Sequence, residues 1–89
     1  MDVSIIIVNY NTAQLTLQCI ESIYSKTSKL VYEIIVVDNA STDNSVELIR
    51  DKFPNVLLVQ SDVNLGFGRA NNLAYQSALG NYIFLLNSD

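Results

Sequence analysis

Four runs of apolar residues punctuate the chain, and none of them alternates: VSIIIVN (3–9), EIIVVD (33–38), NVLLVQ (55–60) and NYIFLLN (81–87). A strand with one wet face alternates apolar and polar positions. A continuous β-branched or aromatic run has both faces covered, as in a parallel sheet. The segments between the runs space their apolar residues by three and four, the period of a helix. A first helix is predicted from about Thr12 to Lys26, with the stripe Leu15, Cys19, Ile20, Ile23 and Tyr24. Asn11 is its expected N-cap, with Gln14 at the reciprocal capping-box position. A second is predicted from about Asp43 to Phe53, capped by Ser41 or Thr42. Val46, Ile49 and Phe53 face the sheet, and Pro54 ends it. A third is predicted from about Arg69 to Leu79, with the stripe Ala70, Leu73, Ala74, Ser77 and Ala78, and Gly80 as its C′ residue.

The resulting order is β-α-β-α-β-α-β. Alternation of this kind belongs to the α/β class: about four parallel strands with right-handed crossovers and three helices, in a Rossmann-like three-layer α/β/α arrangement. At 89 residues without repeats or linkers, positions 1–89 form one small unit.

Composition narrows the function classes. An apolar fraction of 49% suffices for a core, while nine acids against five scattered bases give a net charge of −4. No basic stripe exists to meet a nucleic-acid backbone, so no nucleic-acid partner is expected. One cysteine and no histidine exclude an internal disulfide, a Cys/His zinc site, and Ser-His or Cys-His nucleophiles within these residues. Cys19 is expected to be a buried structural thiol. No apolar stretch approaches the ~20 residues of a bilayer span, and no signal-peptide pattern is visible; the expected compartment is a reducing cytoplasm.

Polar residues collect where such a fold binds ligands, at the carboxyl ends of the strands. The first strand ends in VNYNT, the second in VVDNASTD, the third leads into SDVNLGFGRANN, and the fourth ends in LLNSD. An acid closing the second strand, Asp38, fits a dinucleotide-binding fold, but the turn NYNTAQ after the first strand has no glycine, so that fingerprint fails. Asp38 is instead suited to accept the N3–H of a uracil or thymine ring; the plain alternative is an Asx turn leading into the second helix. In NLGFGRANN, Gly66 and Gly68 allow close backbone approach, the following helix start favours an anion, and Arg69 adds positive charge. A diphosphate would fit there, and a tight loop with a surface arginine explains the same residues. Asn87 and Asp89, two apart on an extended segment, can address one hard cation or be a polar strand end.

Taken together and in register, SIIIVNYN, IIVVDNASTDNS, NLGFGRANN and YIFLLNSD resemble the inverting family 2 glycosyltransferases of the GT-A fold, over essentially the whole chain. With Asn in the first place of the last motif, the chain looks like the rhamnosyltransferase-like branch. The resemblance implies transfer of a sugar from a nucleoside-diphosphate sugar, UDP- or dTDP-linked, to an acceptor hydroxyl, with Mg2+ or Mn2+. It implies that Asn9, Tyr10 and Asn11 line the nucleoside pocket and that Asp38 contacts the base. Asn64, Gly66, Arg69 and Asn72 would lie near ribose and diphosphate. Asn87-Ser88-Asp89 takes the place of the D-x-D motif, with Asp89 as metal ligand and Asn87 left to contact the ribose or a water.

The family's catalytic base lies downstream of that motif, in the acceptor-binding half. The expectation is therefore a donor-nucleotide and metal-binding portion that does not transfer sugar alone, from a parent in the cytoplasm or at the cytoplasmic face of a membrane. The last strand would lie at an open, apolar sheet edge, and edges of that kind recruit partners, so homo-oligomerisation is expected. The rival is a non-catalytic nucleotide-binding or oligomerising α/β module. A phospho-acceptor receiver needs clustered acids and a late lysine that this chain lacks.

Overall fold

The four apolar runs form four strands, and the helical segments fall between them. The computed structural model describes residues 1–87, for Asn87 the backbone alone. The elements are β1 (Val3–Asn9), α1 (Ala13–Lys26), β2 (Tyr32–Asn39), α2 (Ser45–Lys52), β3 (Leu57–Ser61), α3 (Gly66–Tyr75) and β4 (Tyr82–Asn87). The strands are all parallel, in the order β3-β2-β1-β4. The register sets Asn9 beside Asp38, Asp38 beside Gln60 and Val8 beside Asn87, so the polar strand ends meet along one edge.

Both faces of the central pair are covered, which is why β1 and β2 read as unbroken apolar runs. Ile5, Ile7, Ile34 and Val36 pack against Leu17, Ile20 and Ile23 of α1 and Ile49 of α2. The intervening Ile6, Ile35 and Val37 point the other way, onto Ala70 and Ala74 of α3. Small alanines let that helix lie close to the sheet. The two outer strands depart from the doubly buried reading. Leu57 on β3 is 43% exposed, and on β4 Tyr82, Phe84 and Leu85 are 74%, 57% and 51% exposed. Three helices cover two central strands fully and the edges only in part.

The helices correct the sequence reading in detail. Thr12, not Asn11, holds the N-cap position of α1, and no side chain caps it there, so the Asn11–Gln14 capping box does not form. The buried face of α1 is Ala13, Thr16, Leu17, Ile20 and Ile23, whereas Leu15 and Tyr24 are exposed and Cys19 is half-buried. Burial pushes the Cys19 thiol above its ordinary value. Asn44, rather than Ser41 or Thr42, precedes α2. On α3, Ala70 and Ala74 are buried, Leu73 and Ala78 pack at the margin, and Ser77 is exposed.

Helix α3 starts three residues before Arg69 and ends at Tyr75, so Gly80 is not its C′ residue. Gly80 serves another purpose. A Cβ there would lie 2.4 Å from the Ser4 backbone nitrogen and 2.6 Å from the Val3 carbonyl carbon. Its N–H donates to Ser4 Oγ at 2.8 Å, and Ser4 Oγ donates to Glu33 Oε2 at 2.6 Å. The same carboxylate oxygen accepts the Leu79 N–H at 2.6 Å. This chain of bonds fastens the approach to β4 onto the amino ends of β1 and β2.

Candidate functional site

The connection from β1 through β2 to β3 steps outward in one direction, and β4 then returns to the far side of β1. The strand order therefore reverses between β1 and β4, and crevices at such switch points, outside the carboxyl strand ends, are where open α/β sheets bind ligands.

Asn9 ends β1 with its side chain fully buried and its hydrogen-bonding capacity filled. Its Nδ2 donates to Asp38 Oδ1 at 2.8 Å and to Ser41 Oγ at 3.2 Å. Its Oδ1 accepts from Thr16 Oγ1 at 2.6 Å and from Thr12 Oγ1 at 3.1 Å. An amide has two N–H donors and two acceptor lone pairs, and all four are used. Asn9 thus reaches the site through Asp38 and Ser41 rather than by facing the crevice.

Asp38 is 3% exposed, and its second oxygen accepts the Ser41 N–H at 3.1 Å. The carboxylate is held by one donor on each oxygen and keeps acceptor capacity. Between Asp38 and Ser41 the chain passes through Ala40 at φ 65°, a left-handed conformation uncommon for a residue with a Cβ. A cleft of about 510 Å³ opens beside this turn, lined by Asp38, Ser41, Glu47, Arg50, Gln60 and Asp62 among others. It lies on the β2–β3 side of the switch point, with Asp38 on its wall.

Asn11 is also left-handed, at φ 53°. Its Oδ1 accepts the N–H groups of Thr42 at 2.7 Å and Asp43 at 3.2 Å, and its own N–H donates to Ser41 Oγ at 3.0 Å. The side chain expected to start α1 instead clamps the loop before α2. Tyr10, immediately before it, stands 46% exposed at the same edge. Asp43 sits on the far side of the clamp. Burial alone would raise its carboxyl, but bonds from the Ser45 hydroxyl, from the Ser45 and Ala13 N–H groups and from its own N–H prevail and hold it below its ordinary value.

On the other face of the sheet, Asn39 Oδ1 accepts the Leu65 N–H at 2.7 Å, and Asn39 Nδ2 donates to Asn64 Oδ1 at 2.8 Å. Asn64 Oδ1 also accepts the Gly66 N–H at 2.9 Å. This pair ties the end of β2 to the start of α3. Asn39 escaped the sequence reading; its place directly after Asp38 was the available signal, since pleating sends the two side chains to opposite faces.

Both glycines expected to precede α3 lie inside its first turn. Gly66 takes φ 78°, where a side chain is strained. At Gly68 a Cβ would meet nothing within 4 Å, so the fold itself makes no demand for glycine there. Arg69 and Asn72 are exposed on the same helix, and Arg69 forms no ion pair among the described residues. The structure thus brings Asn9, Tyr10, Asn11 and Asp38 to one edge and places Asn64, Gly66, Arg69 and Asn72 on the adjoining loop and helix. The Asn87 side chain and Asp89, to which the cation was assigned, lie outside the described residues. Among the described residues, no three acidic, cysteine or histidine side chains cluster as cation ligands.

The chain resembles known proteins in sequence and in fold. The chain is 38% identical to a poly(ribitol-phosphate) beta-glucosyltransferase of Bacillus spizizenii, over 100% of this chain and 15% of that protein. It is 36% identical to a UDP-Glc:alpha-D-GlcNAc-diphosphoundecaprenol beta-1,3-glucosyltransferase of Escherichia coli, over 98% of this chain and 35% of that protein. The chain spans about a third or less of these relatives' lengths. Among solved structures, a Pyrobaculum calidifontis mannosyltransferase in complex with GDP-Man and Mn2+ superposes with a TM-score of 0.87 at 29% identity, covering 98% of this chain and 27% of that one. S. aureus TarS in complex with UDP gives a TM-score of 0.88 at 26% identity, covering 100% and 28%. These neighbours bear out the α/β reading of the fold and the glycosyltransferase resemblance. The family model described as glycosyl transferase family 2 matches residues 4–89, and the chain belongs to that family.

Proposed function

We propose that this chain is the donor-nucleotide portion of a glycosyltransferase that moves a sugar from a nucleoside-diphosphate sugar to an acceptor hydroxyl. The carrying observation is the buried Asp38 carboxylate, held by Asn9 and Ser41 at the carboxyl end of β2, on the wall of an open cleft on the β2–β3 side. A buried carboxylate with spare acceptor capacity and a fixed orientation is suited to a ring N–H such as the N3–H of uracil or thymine, and we read the donor as UDP- or dTDP-linked. Tyr10 and Asn11 border the nucleoside. Asn64, Gly66, Arg69 and Asn72 take the ribose and diphosphate, and the open space at Gly68 admits the phosphate backbone. No catalytic base is assigned to these residues, so the isolated chain is expected to bind the donor without transferring sugar.

Asp89 is the proposed ligand of Mg2+ or Mn2+, with Asn87 beside it; a bound cation would neutralise charge on the leaving diphosphate. Asn87 in the first position of that motif also supports the rhamnosyltransferase-like placement. None of the described helices is long and apolar enough to cross a membrane, and we infer a cytoplasmic protein or one at the cytoplasmic face of a membrane. The exposed apolar side chains of β4 support self-association through that edge.

Titration of the chain with UDP, dTDP and GDP, each with and without Mn2+, followed by amide chemical shifts, tests the reading. Pyrimidine diphosphates are expected to bind, and Asp38→Asn to weaken them about tenfold or more, the worth of a charge-assisted hydrogen bond. Unchanged affinity in that variant would remove the base contact. Binding indifferent to Mn2+ would remove the role given to Asp89.

A further inference from the structure

Two backbone N–H groups dictate the polarity of a pair of side-chain amides. Asn39 Oδ1 is bound to the Leu65 N–H, so the group it turns toward Asn64 is its NH2. Asn64 must answer with its oxygen, and the Gly66 N–H demands the same oxygen. A backbone N–H only donates, so neither amide can be turned over without leaving a donor unpaired. The outcome is an Asn64 whose carbonyl is doubly engaged and whose NH2 makes no hydrogen bond among the described residues, on an exposed residue at the start of α3. Asn39 itself has its oxygen on the Leu65 N–H and its NH2 on Asn64, so it acts on a ligand through Asn64 rather than directly.

We propose that Asn39 is a positioning residue: it locks the Asn64 amide with its NH2 outward, making that position a hydrogen-bond donor that accepts only an acceptor oxygen of the nucleotide. This rests on the nucleotide-binding reading above and deepens it, because it gives the α3 side of the site a fixed sign. Asp38 offers an acceptor on one face of the sheet edge, and Asn64, through Asn39, offers a donor on the other. The substitution that tests the lock is Asn39→Asp. It keeps the acceptor for Leu65 and nearly the same shape, but sets a carboxylate oxygen against Asn64 Oδ1. The Asn64 amide then either turns over, losing Gly66 and presenting its carbonyl outward, or is pushed away.

The experiment measures UDP, dTDP and GDP affinity for the 89-residue chain and for Asn39→Asp, Asn64→Ala and the double variant, with amide dispersion as the check on folding. Asn39→Asp is expected to weaken the nucleotide that binds the parent chain about tenfold. In the Asn64→Ala background the same substitution is expected to change affinity little, since its effect travels through the missing amide. The Asn64 side-chain NH2 resonances of the parent chain are expected to shift on ligand addition. If the parent chain binds nucleotide and Asn39→Asp binds equally well, or if the two losses simply add, the positioning role is overturned while the nucleotide reading stands. Should Asn39→Asp not fold, unshifted Asn64 NH2 resonances or an unimpaired Asn64→Ala overturn it. A parent chain that binds none of the three overturns both.

Discussion

Asn9 Nδ2 and Asp38 Oδ1 lie 2.8 Å apart at the paired ends of the two central strands, and both residues are buried. The pair joins fold to site: Asn9 gathers Thr12 and Thr16 of the α1 side and Ser41 of the β2–α2 loop around one amide, and so fixes the carboxylate. Replacing Asn9 by Ala strands several buried partners at once. We expect a loss of about 2–4 kcal/mol in urea unfolding. Asn9→Asp tests the electrostatics separately. Two carboxylates at this spacing raise one pKa in the folded state, so folding then takes up a proton. Stability of that variant is expected to fall as pH rises from about 4 through the raised folded value.

The three glycines should separate cleanly. Gly80→Ala drives a Cβ into the backbone of Val3 and Ser4, which cannot move without breaking strand pairing, and is expected to cost about 2–4 kcal/mol. Gly66→Ala meets no atom but is held at positive φ, for about 1–2 kcal/mol. Gly68→Ala has neither problem and sits in a helix, so it is expected to be neutral or stabilising by up to about 1 kcal/mol. If Gly68 is kept open for a diphosphate, the same variant should bind UDP less tightly while unfolding at equal or higher temperature. Thermal unfolding together with UDP titration reads both halves.

The central strands and the polar edge were legible because burial on both faces leaves an unmistakable apolar run and Asn and Asp mark its end. The phase of α1 was not. Thr16 is fully buried because Asn9 needs its hydroxyl, and a stripe counted on apolar residues alone passes over it and takes in Leu15, which is exposed. The helix starts were misplaced for a related reason. Asn11 looks like a local cap, yet it holds a loop 31 residues away, and Asn64, beyond its local bond to Gly66, is held by a residue 25 positions earlier. The left-handed turn at Ala40 carries no glycine to announce it. Long-range polar contacts of this kind have no period.

Acid should loosen the loop clamp. The Asp43 carboxyl is held below its ordinary value near 3.8 by the hydrogen bonds it accepts. A group lowered in the folded state adds stability above the unfolded value and loses it as pH falls through the folded value. Asp43 is largely exposed, so the effect is modest, confined to pH below about 4. Asp43→Asn is expected to flatten the acid limb of the stability curve in that window and to leave neutral pH less stable, as followed by denaturant midpoint against pH.

The exposed face of β4 calls for a partner. Tyr82, Phe84 and Leu85 lie on a strand paired only with β1 among the described residues, and Phe84 and Leu86 border an apolar hollow with Val3, Ile5, Ile23 and Leu30. Apolar side chains on a strand whose outer N–H and C=O row is unpaired favour the addition of another strand, here from a second copy. Sedimentation of the 89-residue chain is expected to show concentration-dependent association at tens of micromolar. Phe84→Lys with Leu85→Lys places charge on both faces of the edge and should return it to monomer with its amide spectrum otherwise preserved. Neither side chain belongs to the two buried cores, so the fold does not depend on them. A parent chain that sediments as a monomer at that concentration would overturn the self-association and leave this edge to be covered by other polypeptide.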